Sequence, residues 1–178
     1  MDDTTTKTAA APPKLHGAKV MQAIRDSRID YVLSVPDLHT AQGLLTPIAA
    51  DPNLKLIRVC KEDETLGIAA GLQYGNKRAL ILIQYTGFLY AMNAIRAVAV
   101  EHKQPMVLMI GLLGKEPGVA PQQARRFGIR IVEPILDVMG IKRILIESDD
   151  DVHLIQPAID EAYATSRPVA ILIGGKPA

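Results

Sequence analysis

The chain has 178 residues, 48% hydrophobic and 22% charged, enough for one soluble domain with a proper core. A net charge of +1 excludes a broad footprint for nucleic acid or an anionic membrane, and 4% aromatic content without tryptophan excludes base-stacking platforms. The single cysteine, Cys60, excludes an internal disulfide and an all-cysteine metal site.

Residues 1–13 are polar and small and end in Pro12-Pro13, which predicts a disordered tail before one domain over residues 14–178. They contain no basic segment followed by an apolar core, and no apolar run approaches the ~20 residues of a membrane span, so a cytoplasmic protein is expected. Leu15, Val20, Met21 and Ile24 stand at helical spacing and predict a helix over 15–27. Tyr31–Val35 reads as a strand stopped by Pro36, residues 39–50 as a second helix, and Leu56–Cys60 as a second strand. A helix of small residues follows from about Glu64 to Tyr74, ended by Gly75-Asn76. Ala79–Ile83 is an apolar strand, 90–101 a helix, Met106–Ile110 a strand, and 112–128 a long loop rich in Gly, Pro and Gln. A helix near 131–139 stops at Gly140, Arg143–Ile146 is a strand, Asp149 or Asp150 is placed to cap a helix reaching Thr165, and Pro168–Ile173 is the last strand.

Several of these six strands are apolar throughout, so they are expected to be buried on both faces. That predicts a three-layer α/β domain, a parallel sheet of about six strands with helices on each side. Ligands in such folds sit beyond the carboxyl ends of the strands, which directs attention to 36–40, 60–64, 84–89 and 111–128. Glu62, Asp63 and Glu64 fall in the second of these loops. Acids at a helix start also simply complement the helix dipole. The helix behind them carries Gly67, Ala69, Ala70 and Gly71, although Gly costs about 1 kcal/mol in a helix interior. Close approach of another backbone would account for that loss.

Glu62 followed nine positions later by Gly71, in the run Gly67-Ile68-Ala69-Ala70-Gly71, resembles the pyrimidine-binding (PYR) domain of thiamin-diphosphate enzymes. The more specific resemblance is to sulfopyruvate decarboxylase alpha subunits and the N-terminal part of phosphonopyruvate decarboxylases. Val35-Pro36-Asp37, Gln84-Tyr85-Thr86-Gly87 with Asn93, and Glu116-Pro117-Gly118 with Pro121-Gln122 fit the same frame over residues 16–176. The sequence departs from the pattern at Leu38, at Leu89-Tyr90 and at Gly111-Leu112-Leu113-Gly114, all on the substrate side.

The resemblance implies thiamin diphosphate as coenzyme, with Glu62 hydrogen-bonding N1′ of its aminopyrimidine and favouring the imino tautomer. It implies a carboxyl sealed from water between two subunits, because desolvation disfavours the charged form. It places Pro36, Tyr85, Thr86, Gly87 and Asn93 beside the coenzyme, and Asp37 and Gln122, with Arg125, toward a small 2-oxo acid; His39, after the first loop, is a candidate catalytic group that could face the substrate or relay a proton, or equally be a loop or helix-cap histidine. No metal site is expected in this chain. A Gly-Asp-Gly motif with a downstream Asn is absent. Mg2+ and the diphosphate are therefore expected mainly on a separate PP-domain (beta) subunit, in a hetero-oligomer with at least two copies of each chain.

The remaining candidates are weaker. Glu101-His102 reads as structural, His16 and His153 lack evident partners, and Cys60 reads as a small buried filler. Tyr85 and Thr86 could equally form a packed turn. Lys115, Arg125 and Arg126 on the long loop could hold an anionic substrate tail or simply be solvated. Open alternatives are a decarboxylase or carboligase for another small 2-oxo acid, such as phosphonopyruvate or a pyruvate-like acid, and a non-catalytic assembly or regulatory subunit. A nucleotide-binding domain ranks low, because no Gly-x-Gly-x-x-Gly follows a strand and no Walker loop is present.

Overall fold

The computed structural model describes residues 14–178; the tail predicted for 1–13 lies outside the described residues. Six strands form one sheet: β1 (Tyr31–Ser34), β2 (Lys55–Arg58), β3 (Ala79–Gln84), β4 (Val107–Gly111), β5 (Lys142–Ile146) and β6 (Val169–Ile173). Their order is β2-β1-β3-β4-β6-β5 and every pairing is parallel. β4 and β6 are buried at every position and β3 at all but its last, as their unbroken apolar sequences require. The edge strands β2 and β5 are only partly covered.

The helices are α1 (Gly17–Asp26), α2 (Thr46–Ala50), α3 (Glu64–Tyr74), α4 (Tyr85–Tyr90), α5 (Met92–Ala94), α6 (Phe127–Arg130), α7 (Val132–Val138) and α8 (Ile155–Thr165). One core joins α1, α2 and α8 to one face of the sheet, around Val20, Ile24, Ile48 and Ile159. A second joins α3 to α7 to the other face, around Leu66, Phe88, Ile95 and Leu136. Crossovers that step from β1 to β2 and from β5 to β6 pass over the first face. Those that step the opposite way, β2 to β3 to β4 to β5, pass over the second. All five therefore share one hand, as βαβ geometry demands.

The chain departs from the sequence reading in six places, the first being the helix expected at 90–101, which is α5 followed by a π segment, Ile95–Glu101. The helix expected at 39–50 opens as a π segment, Ala41–Leu45, before α2. β2 stops at Arg58, although Val59 N–H still bonds Ser34 O, so Glu62 lies on the connection to α3 and not at the strand end. Residues 84–89, expected as a loop, form α4 directly after β3, because Phe88 turns fully into the core. Cys60 is exposed rather than buried. The cap after β5 is Ser148, whose hydroxyl accepts the Asp150 N–H while Asp151 returns a bond to the Ser148 N–H. Asp149 is drawn instead to the His16 ring and the Lys19 ammonium, which hold its carboxyl far below the usual range.

Candidate functional site

Strand order reverses direction between β1 and β3, which opens a crevice beyond their carboxyl ends, the place where α/β sheets bind ligands. Three consecutive acids stand beside it and meet three different fates. Glu64 Oε2 accepts the backbone N–H of Cys60 and of Lys61, at 3.1 and 3.4 Å, and so stabilises the loop into α3. Asp63 turns inward, and its Oδ1 is buried with no hydrogen-bond partner among the described residues. Glu62 is half-buried, its side chain makes no hydrogen bond to the described residues, and it lies across Gly87.

That last contact explains the glycine. A β-carbon at Gly87 would stand 2.4 Å from Glu62 Cγ and 2.5 Å from its Oε1. Gly87 sits in the first turn of α4, on a strand end two places across the sheet from the loop that carries Glu62. Helix and loop thus press a carboxylate onto bare backbone, leaving its oxygens uncommitted.

The first loop is built differently. The Asp37 carboxylate accepts the N–H groups of His39 (2.6 Å) and Thr40 (2.8 Å) and the Thr40 hydroxyl, which caps the turn into the π segment. The loop carries His39 across the carboxyl edge of the sheet. Its imidazole packs over Gly111 at the end of β4, and its Nε2 donates to the Ile173 carbonyl at 3.0 Å. Burial pushes its pKa below the ordinary histidine value, partly opposed by Asp37, so the ring is neutral near pH 7. Gly111 is the register partner of Gln84, so His39 stands at the end of β4, one strand from the Glu62–Gly87 contact at the end of β3.

The other expected residues are placed as follows. Pro36 is exposed at the crevice, next to Leu38, which is 79% exposed. The Tyr85 ring is buried against Gly128, while Thr86 is exposed and its hydroxyl accepts the Gln84 amide. Asn93 is exposed, and its oxygen accepts from the Arg96 guanidinium. Gln122 and Arg125 are exposed on the loop between β4 and α6, and neither side chain meets the Glu62 contact. The structure therefore brings together Glu62, Gly87 and, one strand further, His39. It gives Asp37 and Asn93 structural partners.

Two charged groups carried no signal in the sequence. Glu147, just past β5, forms an ion pair with Lys115, whose side chain is fully buried and whose Nζ also donates to the Glu116 carbonyl at 3.1 Å. Lys176, just past β6, lines a depression together with Lys115 and Glu147. Among the described residues no three His, Cys, Asp or Glu side chains converge to hold a metal, and no helix is long and apolar enough to cross a membrane.

Fold and site define an α/β subunit with an uncommitted carboxylate at the switch point of its sheet. No protein-family model matches the chain. It is 32% identical over 154 residues to the sulfopyruvate decarboxylase subunit alpha of Methanocaldococcus jannaschii, covering 86% of this chain and 89% of that one. The subunit of the same name from Methanococcus maripaludis is 27% identical over 157 residues, covering 86% and 91%. A sulfopyruvate decarboxylase of Methanosarcina acetivorans is 26% identical over 159 residues, covering 89% of this chain and 40% of the longer relative. The chain belongs to the sulfopyruvate decarboxylase alpha-subunit family.

Proposed function

We propose that residues 14–178 form the PYR subunit of a cytoplasmic, heteromeric, thiamin-diphosphate-dependent decarboxylase that converts sulfopyruvate to sulfoacetaldehyde and CO2. The observation that carries this reading is Glu62, a carboxylate with no hydrogen bond to the described residues, laid across the bare backbone of Gly87. Such a cradle fits a flat heterocycle with a basic ring nitrogen, because the carboxyl, seated on bare backbone, has its oxygens free to bond it.

In this reading Glu62 would hold N1′ of the aminopyrimidine and donate or accept a proton there, Gly87, Tyr85 and Thr86 would form the wall beside the ring, and Pro36 would lie at the rim. Neutral His39 is positioned by Ile173 to face the substrate side. Thiamin diphosphate, when bound, supplies the electron sink for loss of CO2. Mg2+ and the diphosphate belong mainly to a PP-domain partner with Gly-Asp-Gly and a downstream Asn. Two features support a partner. The curated relatives are named as subunits, and one longer relative, matched over 40% of its length, carries the enzyme's name with no subunit designation.

The test is to purify the chain with its partner, add thiamin diphosphate and Mg2+, and measure CO2 release from sulfopyruvate. Glu62→Gln is expected to lower turnover by about 10²-fold or more while the complex still assembles. Full turnover by that variant would sink the assignment of Glu62, and a wild-type complex that releases no CO2 would sink the decarboxylase.

A further inference from the structure

A second depression, of about 270 Å³, opens beyond the carboxyl ends of β4, β5 and β6. Its walls come from four separate strand ends: His39 after β1, Gly114-Lys115 after β4, Glu147 after β5 and Gly174 to Lys176 after β6. Glycine is required at two of these positions, Gly114 and Gly175, and Gly174 is closely packed. A β-carbon on Gly174 would stand 3.1 Å from Lys115 Cδ, and one on Gly175 would stand 2.2 Å from the Glu147 carbonyl oxygen. Gly114 has φ +86°, and its bare α-carbon lets the Arg126 side chain lie along the lip, where a β-carbon would meet Nε at 2.3 Å.

The charges do not cancel. Lys115 and Glu147 neutralise each other inside the wall. Lys176 lines the cavity, and neither it nor Arg126 forms an ion pair with any described residue. The Glu116 carboxylate is turned away, toward the Arg125 N–H. Lys176 therefore faces a small space whose one lining carboxylate is already neutralised, and Arg126 stands against Gly114 at its edge.

Its place along the sheet gives the space a use. Glu62 rests at the end of β3, and the cavity lies beyond β4 at β6, two strand spacings or about 10 Å away. His39, over Gly111, stands between the two. We propose that this cavity is the subsite for the sulfonate end of the substrate, with Lys176 and Arg126 selecting a 2-oxo acid that carries a second negative charge. The proposal rests on the decarboxylase reading above and assigns the specificity of that same site.

The experiment compares kcat/KM for sulfopyruvate and for pyruvate, which lacks the tail, in the complex reconstituted with partner, thiamin diphosphate and Mg2+. Lys176→Ala is expected to lower the sulfopyruvate-to-pyruvate ratio about tenfold, mainly through KM, as for loss of one charge-assisted contact. Lys176→Arg is expected to keep most of the ratio, and Arg126→Ala to lower it independently. Calorimetry with 3-sulfopropanoate, which has no keto group to react, should show the same weakening for Lys176→Ala. An active complex whose ratio is unchanged in both alanine variants overturns the subsite alone. A wild-type complex inactive on sulfopyruvate overturns the decarboxylase reading and the subsite with it.

Discussion

The Glu62 side chain lies directly over the α-carbon of Gly87, so that a single added methyl group at position 87 would occupy the space of the carboxylate's own stem. The obstructed atoms belong to a flexible side chain that can swing away, not to backbone. Gly87→Ala is therefore expected to displace Glu62 without unfolding the chain, changing stability by less than about 1 kcal/mol. Turnover should fall nearly as far as in Glu62→Gln. Urea unfolding and CO2 release measured on the same preparation check this, and a fully active Gly87→Ala enzyme would remove the case for the cradle.

His39 makes a pH prediction with a definite sign. Burial lowers its pKa below 6.5 in the folded chain, and unfolding returns it to that value. Between those two values the unfolded chain binds more protons, so stability rises with pH across the window and is lost as pH falls from about 6.5 toward the folded value. His39→Asn should flatten this part of the profile. The check is urea denaturation at several pH values between 5 and 7.5, taken as the difference between wild type and variant. That difference cancels the exposed His16, His102 and His153. Parallel profiles would contradict the burial argument.

The glycines of α3 supply a test of the partner. Gly67 and Gly71 are exposed, and a β-carbon at either would meet nothing within 4 Å. The close approach expected from the sequence is therefore not made by the described residues of this chain. Gly71→Ala should stabilise the isolated chain by up to about 1 kcal/mol, since Gly is the poorer helix former. The heteromeric reading expects the same substitution to weaken assembly with the partner subunit. Thermal unfolding of the chain alone and sedimentation of the mixed complex give the two readings. A gain in both would show that this face stays bare in the enzyme.

Much of the architecture was legible because burial on both faces of a strand leaves no polar position to hide. β3, β4 and β6 read as apolar runs for that reason, and the small helix α3 was bounded by its acids and by Gly75. α4 was not legible, since Thr86-Gly87 reads as a turn unless Phe88 is known to enter the core. The π segment Ala41–Leu45 has no periodicity of its own, and it arises where the Asp37 turn meets Gly43 under the C-terminal segment. At the candidate site, Glu62 was singled out by the family resemblance that its spacing to Gly71 carries, since spacing alone fits a helix-dipole acid as well. Lys115 and Glu147, 32 residues apart, meet only because β4, β6 and β5 are neighbours in space, which no local pattern encodes.

The C-terminal segment carries the last prediction, because it ties the stability of the fold to the proposed sulfonate cavity. Leu15 bridges Pro177, Gly17 N–H bonds Ala178 O at 2.9 Å, and Ala178 N–H bonds Leu15 O at 3.0 Å. This strap crosses Gly43, where a β-carbon would stand 2.4 Å from the Pro177 carbonyl oxygen, and Gly43 O in turn would be 2.0 Å from a β-carbon on Gly17. Both conflicts are with backbone, so no rotamer relieves them. Gly43→Ala should cost about 2–3 kcal/mol, as overpacking of a tight contact does. It must also shift the strap from which Lys176 reaches the cavity. The variant is therefore expected to lose stability in urea and, at temperatures where it remains folded, to show a raised KM for sulfopyruvate with a smaller change for pyruvate. Equal KM changes for the two acids would mean that the strap does not position the cavity, whatever it contributes to the fold.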